Sequence, residues 1–495
     1  MQVMTRMALA LLAMIAITSV TMVGSAAAQE AAPVDDCWLA QAKKPLPWLE
    51  FEGDFRARWD YYKAPFKDRF LSVDPVTGAV DFLGRERNRG GFRTRLGFSI
   101  KPLDGLEFNT RAVWEFFVVH KPNGQRDVDM DEVLLDKLNV TWKADFGSVK
   151  NTLVVGRQEI TDLDNWLVLD GTPLDGSRTI FFDAIRDTLE ISDIQTTIDL
   201  IAIFQGAKED KYIKPLGYRE SRGRAFADDN EVGAILWVRN KSIERTQIDV
   251  AYIFRHADPV NPNVTFGTGL AIADYTRSDV HTLYASVEHA FDDNWVLRVA
   301  GAGQYGHRRT NFEVYAPGPV LVTQGRDSTN YWAYAANARL TYKFRDEWDT
   351  DAYVGYEYLS GSKVDDTARS YSFGFDPLWG RWPQYSEIVT DLGGLENGRA
   401  GVVTNMHRGY VGLVTRPKPF ELAATYHLLF ADKKEANQGA FRGHLVTASA
   451  RWDINEHVAM QAVGEAFFPG SYYRDWWVGG RNTSFFARYE IVFKW

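Results

Sequence analysis

The chain has 495 residues, a formal net charge of −9 and a mean hydropathy of −0.29. The length alone would suggest about three soluble domains. The hydropathy excludes a bundle of transmembrane helices, and the acidic balance gives no reason to expect nucleic-acid binding. The single cysteine excludes a disulfide framework and a cysteine-rich metal site. The composition is unusual in its aromatic content of 14% and its 40 glycines.

Residues 1–28 are predicted to form a secretory signal peptide. One positive charge, Arg6, precedes an apolar run, and three alanines end the segment. A transmembrane anchor is the alternative, but the run is short and ends in a cleavage-type motif. Residues 29–47, with Cys37 as an unpaired thiol, are predicted to be a periplasmic tether, and residues 48–495 form the folded domain.

The hydrophobic pattern of the folded domain has a period of two. From Leu49 to Tyr61, apolar or small residues alternate with charged ones, which predicts a strand. The same alternation recurs near 92–101, 332–344 and 485–495. A soluble β-sandwich also alternates, but here aromatics end the apolar faces and full charges repeat along the polar faces. These two features favour the aromatic girdles and the water-filled lumen of a membrane barrel.

Eighteen strands are predicted, with tight turns after even-numbered strands and longer connections after odd-numbered ones. This asymmetry is typical of outer-membrane barrels, which have short periplasmic turns and long outer loops. The predicted fold is an all-β, antiparallel up-and-down transmembrane barrel of about 18 strands in the bacterial outer membrane, wide enough for an aqueous channel. The predicted strands lie near 48–61, 90–101, 105–118, 132–143, 150–158, 181–191, 195–205, 230–240, 244–256, 279–291, 295–308, 329–344, 348–360, 404–416, 420–430, 443–453, 457–468 and 482–495. The longer connections include 62–89, 206–229, 257–278, 309–328 and 361–403.

Arginines on the inward faces are the candidate functional residues. They are predicted to form a patch at the waist of the lumen, with acidic residues above and below. Guanidinium groups suit carboxylates because they offer fixed, bidentate donors and keep their charge. The alternative is that these arginines pair with inward Glu and Asp and make the wall rigid. The pore-lining residues predicted from the strand pattern are Arg56, Arg58, Arg93, Arg95, Arg111, Arg339 and Arg488.

Three short segments carry more specific sequences. Residues 153–160 contain Gly-Arg-Gln, residues 182–186 read Phe-Asp-Ala-Ile-Arg, and residues 375–379 read Phe-Asp-Pro-Leu-Trp. Together they resemble the bacterial alginate-export outer-membrane family. The resemblance implies a monomeric 18-stranded barrel that exports an anionic polyuronate through an electropositive constriction. It also implies that Arg157 and Arg186 join the lumen patch.

Two further motifs point to cofactors. Residues 301–306 match the dinucleotide pattern GxGxxG, but they lie inside a predicted strand with no helix after them. Residues 127–131 begin like a calcium loop, although Glu132 and Leu138 stand where the glycine and the bidentate glutamate belong. No cofactor is therefore predicted, apart from a weak loop-bound calcium site.

Transport rather than catalysis is predicted. Export of an acidic polysaccharide is preferred, and the alternative is a general or substrate-specific diffusion porin for small anionic solutes, with part of 361–403 folded into the pore. An enzymatic barrel is a further alternative, but His256, His307 and His427 lie on different strands without a convincing nucleophile. The expected partners are acidic polysaccharide or small anionic solutes, outer-membrane lipid, the barrel insertion machinery, which would read the aromatic C-terminus at 489–495, and periplasmic secretion-complex proteins. Nucleic acid is not among them.

Overall fold

The chain divides into two compact units, Met1–Pro45 and Leu46–Trp495. The predicted signal peptide and most of the predicted tether lie outside the residues that the structure describes. The computed structural model describes residues 42–63, 71–73, 80–82, 86–121, 133–164, 166–169, 181–207, 216, 229–259, 263–267, 270–316, 320–361, 374–380, 385–397, 403–474 and 482–495.

Eighteen strands form one closed antiparallel barrel in the second unit. Each strand pairs with its neighbours in the chain, and the first pairs with the last from Asp54↔Lys494 to Lys63↔Phe485. Closure leaves no unpaired edge, as a sheet in lipid requires. The strands are β1 Leu49–Lys63, β2 Glu86–Leu103, β3 Leu106–Lys121, β4 Leu134–Asp145, β5 Val149–Gln158, β6 Phe182–Ile191, β7 Thr196–Gln205, β8 Asp229–Asn240, β9 Thr246–Pro259, β10 Leu270–Ala290, β11 Trp295–Ala316, β12 Val320–Lys343, β13 Asp351–Leu359, β14 Met406–Thr415, β15 Phe420–Phe430, β16 Phe441–Asp453, β17 Val458–Pro469 and β18 Ser484–Lys494.

The strands confirm the predicted number and order, but two predicted connections are wrong. Much of 257–278 and 309–328 is paired backbone, because β10, β11 and β12 have 21, 22 and 24 residues. A short strand, Asn263–Gly267, pairs with the start of β10. A transmembrane strand needs only about 9–11 residues. Since a hairpin beyond the bilayer is held by backbone hydrogen bonds and needs no apolar face, its sequence lacks the alternation.

Side chains alternate between an apolar outer face and a charged inner face. In β1, Phe51 and Trp59 are 40% and 42% exposed, whereas inward Arg56 and Asp60 are 3% and 1% exposed. A closed antiparallel barrel with this arrangement spans the bacterial outer membrane. Among the described residues, no helix combines the length and hydrophobicity needed to cross a bilayer.

Tight turns follow the even-numbered strands, as predicted. Between β10 and β11 the Asp292 carboxylate accepts the backbone N–H groups of Trp295 and Asn294, each at 2.7 Å. These two hydrogen bonds lower the pKa of Asp292, because they stabilise its charged form. Local sequence therefore specifies this turn without help from the rest of the barrel.

Three segments of the long connections lie inside the barrel. They are the acidic segment (residues 159–164), the aromatic segment (residues 374–380) and helix α1 (Glu387–Asn397). The apolar side chains of the first two pack against the inward apolar side chains of β6–β10. The buried cluster includes Ile160 of the acidic segment and Phe375 and Leu378 of the aromatic segment with Ile203, Ile235, Trp237 and Ile253 of the wall, whereas helix α1 contacts β17 and β18. The position of the last two segments agrees with the expectation that part of 361–403 enters the pore.

Candidate functional site: the arginine-lined lumen

A carboxylate on β1, Asp60, collects three guanidinium groups. Strand register places Asp60 opposite Arg89 of β2 and Arg488 of β18. Its oxygens lie 2.8 Å from Arg488, 3.3 Å from Arg89 and 3.5 Å from Arg58. The arrangement joins the first and last strands of the barrel through one shared carboxylate.

A second carboxylate, Asp54, pairs with two more guanidinium groups and lies six residues before Asp60 on β1. Arg93 and Arg95 lie 3.0 and 2.5 Å from its two oxygens. The Nη1 atom of Arg93 is buried and has no hydrogen-bond partner among the described residues. Five guanidinium groups therefore surround Asp54 and Asp60, and two of the five also lie near loop carboxylates: Arg95 near Glu159 at 3.6 Å and Arg488 near Glu387 at 3.0 Å.

The structure brings Arg56, Arg58, Arg93, Arg95 and Arg488 close together on the inner face, but it does not place their carboxylates as the strand pattern predicted. The carboxylates do not lie above and below the arginines; they are interleaved with them. Arg56, for example, lies 3.1 Å from Glu115 and 3.7 Å from Glu490. A buried charge without a partner costs several kcal/mol, so each buried guanidinium needs a carboxylate at its own height.

The acidic segment brings three carboxylates from a loop into the lumen. Each one lies near arginines of the barrel wall, and the wall strands involved are β2, β3, β6, β8 and β11. The segment therefore connects walls on different sides of the lumen. The pairs are Glu159 with Arg111 (2.5 Å) and Arg95 (3.6 Å), Asp162 with Arg186 (2.7 Å) and Arg239 (3.4 Å), and Asp164 with Arg298.

Some of these arginines also have carboxylates on the wall. Asp199 of β7 is fully buried and lies 2.7 Å from Arg186 and 2.6 Å from Arg239. Arg111 lies 2.8 Å from Asp136. Arg111, Arg186 and Arg239 therefore have carboxylate partners on the wall in addition to those of the acidic segment.

The Gly-Arg-Gln sequence lies where the chain leaves the wall for the acidic segment. Gly156 has a φ of +122°, and a Cβ there would lie 2.4 Å from the carbonyl oxygen of Leu138. Only glycine is therefore accommodated. The next residue, Arg157, lies 2.8 Å from Asp183 and 3.8 Å from the centroid of the Phe181 ring. Arg157 is buried at this junction, where its guanidinium joins β5 to β6 through Asp183 and to β4 through the carbonyl of Leu135.

Arg339 on β12 differs from the other eight predicted arginines. Among the described residues it has no carboxylate within ion-pair distance, and its guanidinium lies 3.9 Å from the centroid of the Tyr353 ring. Its register partner on β11 is Arg298. A guanidinium held by an aromatic face keeps its full positive charge for a ligand.

Arg408 on β14 is a second arginine packed against tyrosine rings, and it is not among the arginines predicted from the sequence. Its guanidinium lies 3.9 Å from the ring centroid of Tyr385 and 4.2 Å from that of Tyr410, with Glu357 at 3.0 Å. Strand parity is the signal that could have found it, as it could the other inward arginines outside the prediction. Those are Arg89, Arg239, Arg255, Arg298, Arg308 and Arg442.

The aromatic segment is fixed to the opposite wall. Its Trp379 lies over Gly233 of β8, where an added Cβ would come within 2.4 Å of the ring, and its Nε1 donates to Glu231 at 2.9 Å. Asp376 lies 2.9 Å from Arg255 and 3.5 Å from Arg308. The Phe-Asp-Pro-Leu-Trp sequence therefore builds a fixed part of the lumen.

Helix α1 begins on a carboxylate of the wall. Glu465 of β17 accepts the Ser386 hydroxyl at 2.5 Å and the backbone N–H groups of Glu387 and Ile388 at 2.8 and 3.2 Å. Glu387 in turn lies 3.0 Å from Arg488. The N-terminal N–H groups of a helix need acceptors, and here the barrel supplies them.

The cofactor motifs have no functional counterpart in the described residues. Residues 301–306 lie within β11, as predicted, whereas the calcium-like residues 127–131 lie outside the described part of the chain. Where the structure describes the chain, no group of three or more His, Cys, Asp or Glu side chains could hold a metal ion.

The closed barrel, its apolar outer face and its charged interior define an integral outer-membrane β-barrel protein. No protein-family model and no curated protein matches the chain. Solved structures of similar fold include Acinetobacter baumannii OccAB1, with 10% identity, 90% of this chain and 96% of that chain covered, and a TM-score of 0.49. Pseudomonas aeruginosa OpdQ and a BenF-like porin from Pseudomonas fluorescens Pf-5 each have 10% identity, cover 90% of this chain and 98% of their own, and have TM-scores of 0.46. At 10% identity, these structures do not assign a role to any residue of the lumen.

Proposed function

We propose that the chain is a diffusion channel for small anionic solutes. The observation that carries the proposal is the concentration of inward arginines, five of them around Asp54 and Asp60 and one, Arg339, with no described carboxylate within ion-pair distance. The Arg339 guanidinium has no described carboxylate within ion-pair distance, so its positive charge and its N–H groups can meet a carboxylate or phosphate in transit. The net charge of −9 does not set the ion selectivity of the channel. Charges are screened over about 8 Å, so a solute in the lumen responds to the side chains near it.

The segments inside the lumen favour small solutes over a polymer. The acidic segment meets arginines on five strands, the aromatic segment is fixed to β8, β9 and β11, and helix α1 is fixed to β17 and β18. A polyuronate chain would have to pass all three, whereas a small anion needs only the space between them. Export of an alginate-like polysaccharide, implied by the sequence resemblance, stays a prediction and is the competing outcome of the test.

Arg339 provides a sharp test of anion recognition. Replacing Arg339 by Gln removes a positive charge without leaving a described carboxylate unpaired. We expect the anion-to-cation permeability ratio in planar bilayers to fall by about two- to fivefold, as loss of one partly screened charge predicts. Arg451→Gln is the matched control, since Arg451 is 42% exposed beside Asp453 near the periplasmic end of β16.

Planar bilayers also distinguish a channel for small anions from an exporter of an acidic polysaccharide. If small mono- and dicarboxylates carry current and a polyuronate neither permeates nor blocks, the small-solute channel is supported. If a polyuronate permeates at a rate comparable to a small dicarboxylate, the exporter replaces it. An Arg339→Gln channel with unchanged selectivity would contradict the role given to this residue.

A second candidate function, hydrolysis of lipid esters, is favoured by one contact. His307 on β11 lies 2.7 Å through Nδ1 from Asn330 and 3.1 Å through Nε2 from Ser328, on the outward face. In a hydrolase such a histidine takes a proton from the serine, and its partner amide fixes the tautomer. The other two histidines considered do not contribute, because His256 faces outward beside Asp279 and His427 is buried beside Arg408.

Purified protein in mixed micelles tests this candidate. Release of fatty acid from phospholipid that is lost in Ser328→Ala, with the channel current retained, would support a hydrolase. Equal release by the wild type and by Ser328→Ala would exclude this site.

A further inference from the structure

Pairs of tyrosine and histidine recur on the lipid-facing surface. In each pair the tyrosine lies on an odd-numbered strand and the histidine lies on the even-numbered strand that follows it. The hydroxyl oxygen and Nδ1 are within hydrogen-bond distance in all three. The pairs are Tyr252 with His281 (2.8 Å), Tyr356 with His407 (2.6 Å) and Tyr426 with His444 (2.6 Å).

The three pairs lie at a similar height. His444 is nine residues before the periplasmic end of β16 at Asp453, and His281 and His407 are placed similarly on β10 and β14. Nine residues of a strand tilted by 35–45° rise about 22 Å, and the apolar band of a barrel is about 25 Å tall. The histidines are therefore at the outer edge of that band, where lipid headgroups begin.

Each neutral pair has one polar hydrogen that its internal hydrogen bond does not use. Either the tyrosine donates to Nδ1 and Nε2 carries the other hydrogen, or Nδ1 donates and the hydroxyl hydrogen is left. An unused donor is costly in hydrocarbon. The pair is therefore suited to an acceptor-rich group at the headgroup level.

Charge distinguishes the pairs from one another. Arg474, in helix α2 (Ser471–Arg474), donates to the carbonyl of Pro469, which is the register partner of Gly443, the residue before His444. Beside His407, in contrast, the Asp432 carboxylate is 3.6 Å from Nε2. An anionic headgroup is therefore favoured at the Tyr426–His444 pair, beside Arg474, and repelled at the Tyr356–His407 pair, beside Asp432.

We propose that Tyr426, His444 and Arg474 form a binding site for a phosphate group of an outer-leaflet glycolipid. The hydrogen left on the Tyr426–His444 pair and the Arg474 guanidinium supply donors to one phosphate. The Phe441 ring, 4.9 Å from the imidazole centroid, fixes the histidine. The site lies on the outer surface and is independent of the transport function.

Lipid binding by the full chain in detergent tests the proposal. Native mass spectrometry is used to measure binding of bis-phosphorylated lipid A, of its dephosphorylated form and of phosphatidylglycerol. Loss of a hydrogen bond to a charged group predicts about tenfold weaker lipid A binding for His444→Phe and for Arg474→Gln. His407→Phe is the matched control, with an expected change of less than about twofold.

The proposal is overturned if His444→Phe and Arg474→Gln bind lipid A as the wild type does. It is also overturned if the wild type binds the dephosphorylated form or phosphatidylglycerol as tightly as lipid A. Should His444→Phe fail to fold, Tyr426→Phe removes the hydroxyl and keeps the ring, and it is expected to weaken binding in the same direction.

Discussion

Replacement of Asp60 by Asn is expected to destabilise the barrel by about 3–5 kcal/mol, the cost of breaking a buried ion pair from one side. Asp60 is 1% exposed, and its loss leaves Arg58, Arg89 and Arg488 without their shared carboxylate. Because Asp60 and Arg488 join β1 to β18, the seam of the barrel should weaken first. The midpoint of thermal unfolding in detergent measures the effect.

Asp453→Asn provides the control for Asp60→Asn. Asp453 pairs with Arg451 at 2.6 Å, but both side chains are about half exposed. An exposed pair contributes about 0–1 kcal/mol, so the midpoint should hardly move. Equal shifts in the two variants would show that the cluster around Asp60 does not stabilise the seam.

Neutralising the acidic segment is expected to change selectivity more than any single substitution. The variant Glu159→Gln, Asp162→Asn, Asp164→Asn removes three negative charges from the lumen and keeps the side-chain shapes. Arg95, Arg111 and Arg298 then face the lumen with less compensation. The anion-to-cation permeability ratio should rise by about tenfold or more, since a change of about 1.4 kcal/mol already gives tenfold.

A second triple variant has the same change in net charge outside the lumen. Asp292, Asp346 and Asp349 lie in the turns on the periplasmic side, and Asn at these positions keeps most of the turn hydrogen bonds. We expect little change in selectivity from it. A similar rise in both triple variants would mean that the total charge of the protein, rather than the acidic segment, sets the selectivity.

The strands could be predicted because their signal is local. A strand in lipid must alternate apolar and polar side chains, and from Leu49 to Tyr61 this alternation is unbroken. Beyond the bilayer that requirement ends. The sequence at 309–328 therefore suggests a loop, although backbone hydrogen bonds continue β11 and β12 there.

The lumen could be predicted only in part. Parity alone places Arg56 and Arg93 on the inner face, but their partners depend on register between strands and on loops that turn inward. Asp60 and Arg488 are 428 residues apart, and Glu159 belongs to a loop that turns inward after Gly156, whose φ is +122°. Nothing local to Gly233 shows that its missing side chain makes room for Trp379.

The reversal potential of the wild-type channel in a planar bilayer under a KCl gradient tests the central claim most directly. The concentration of guanidinium groups at the waist predicts a reversal potential of the sign that chloride carries, shifted toward zero in the Arg56→Gln, Arg95→Gln, Arg488→Gln variant. A reversal potential of the opposite sign, carried by potassium, would contradict an anion channel.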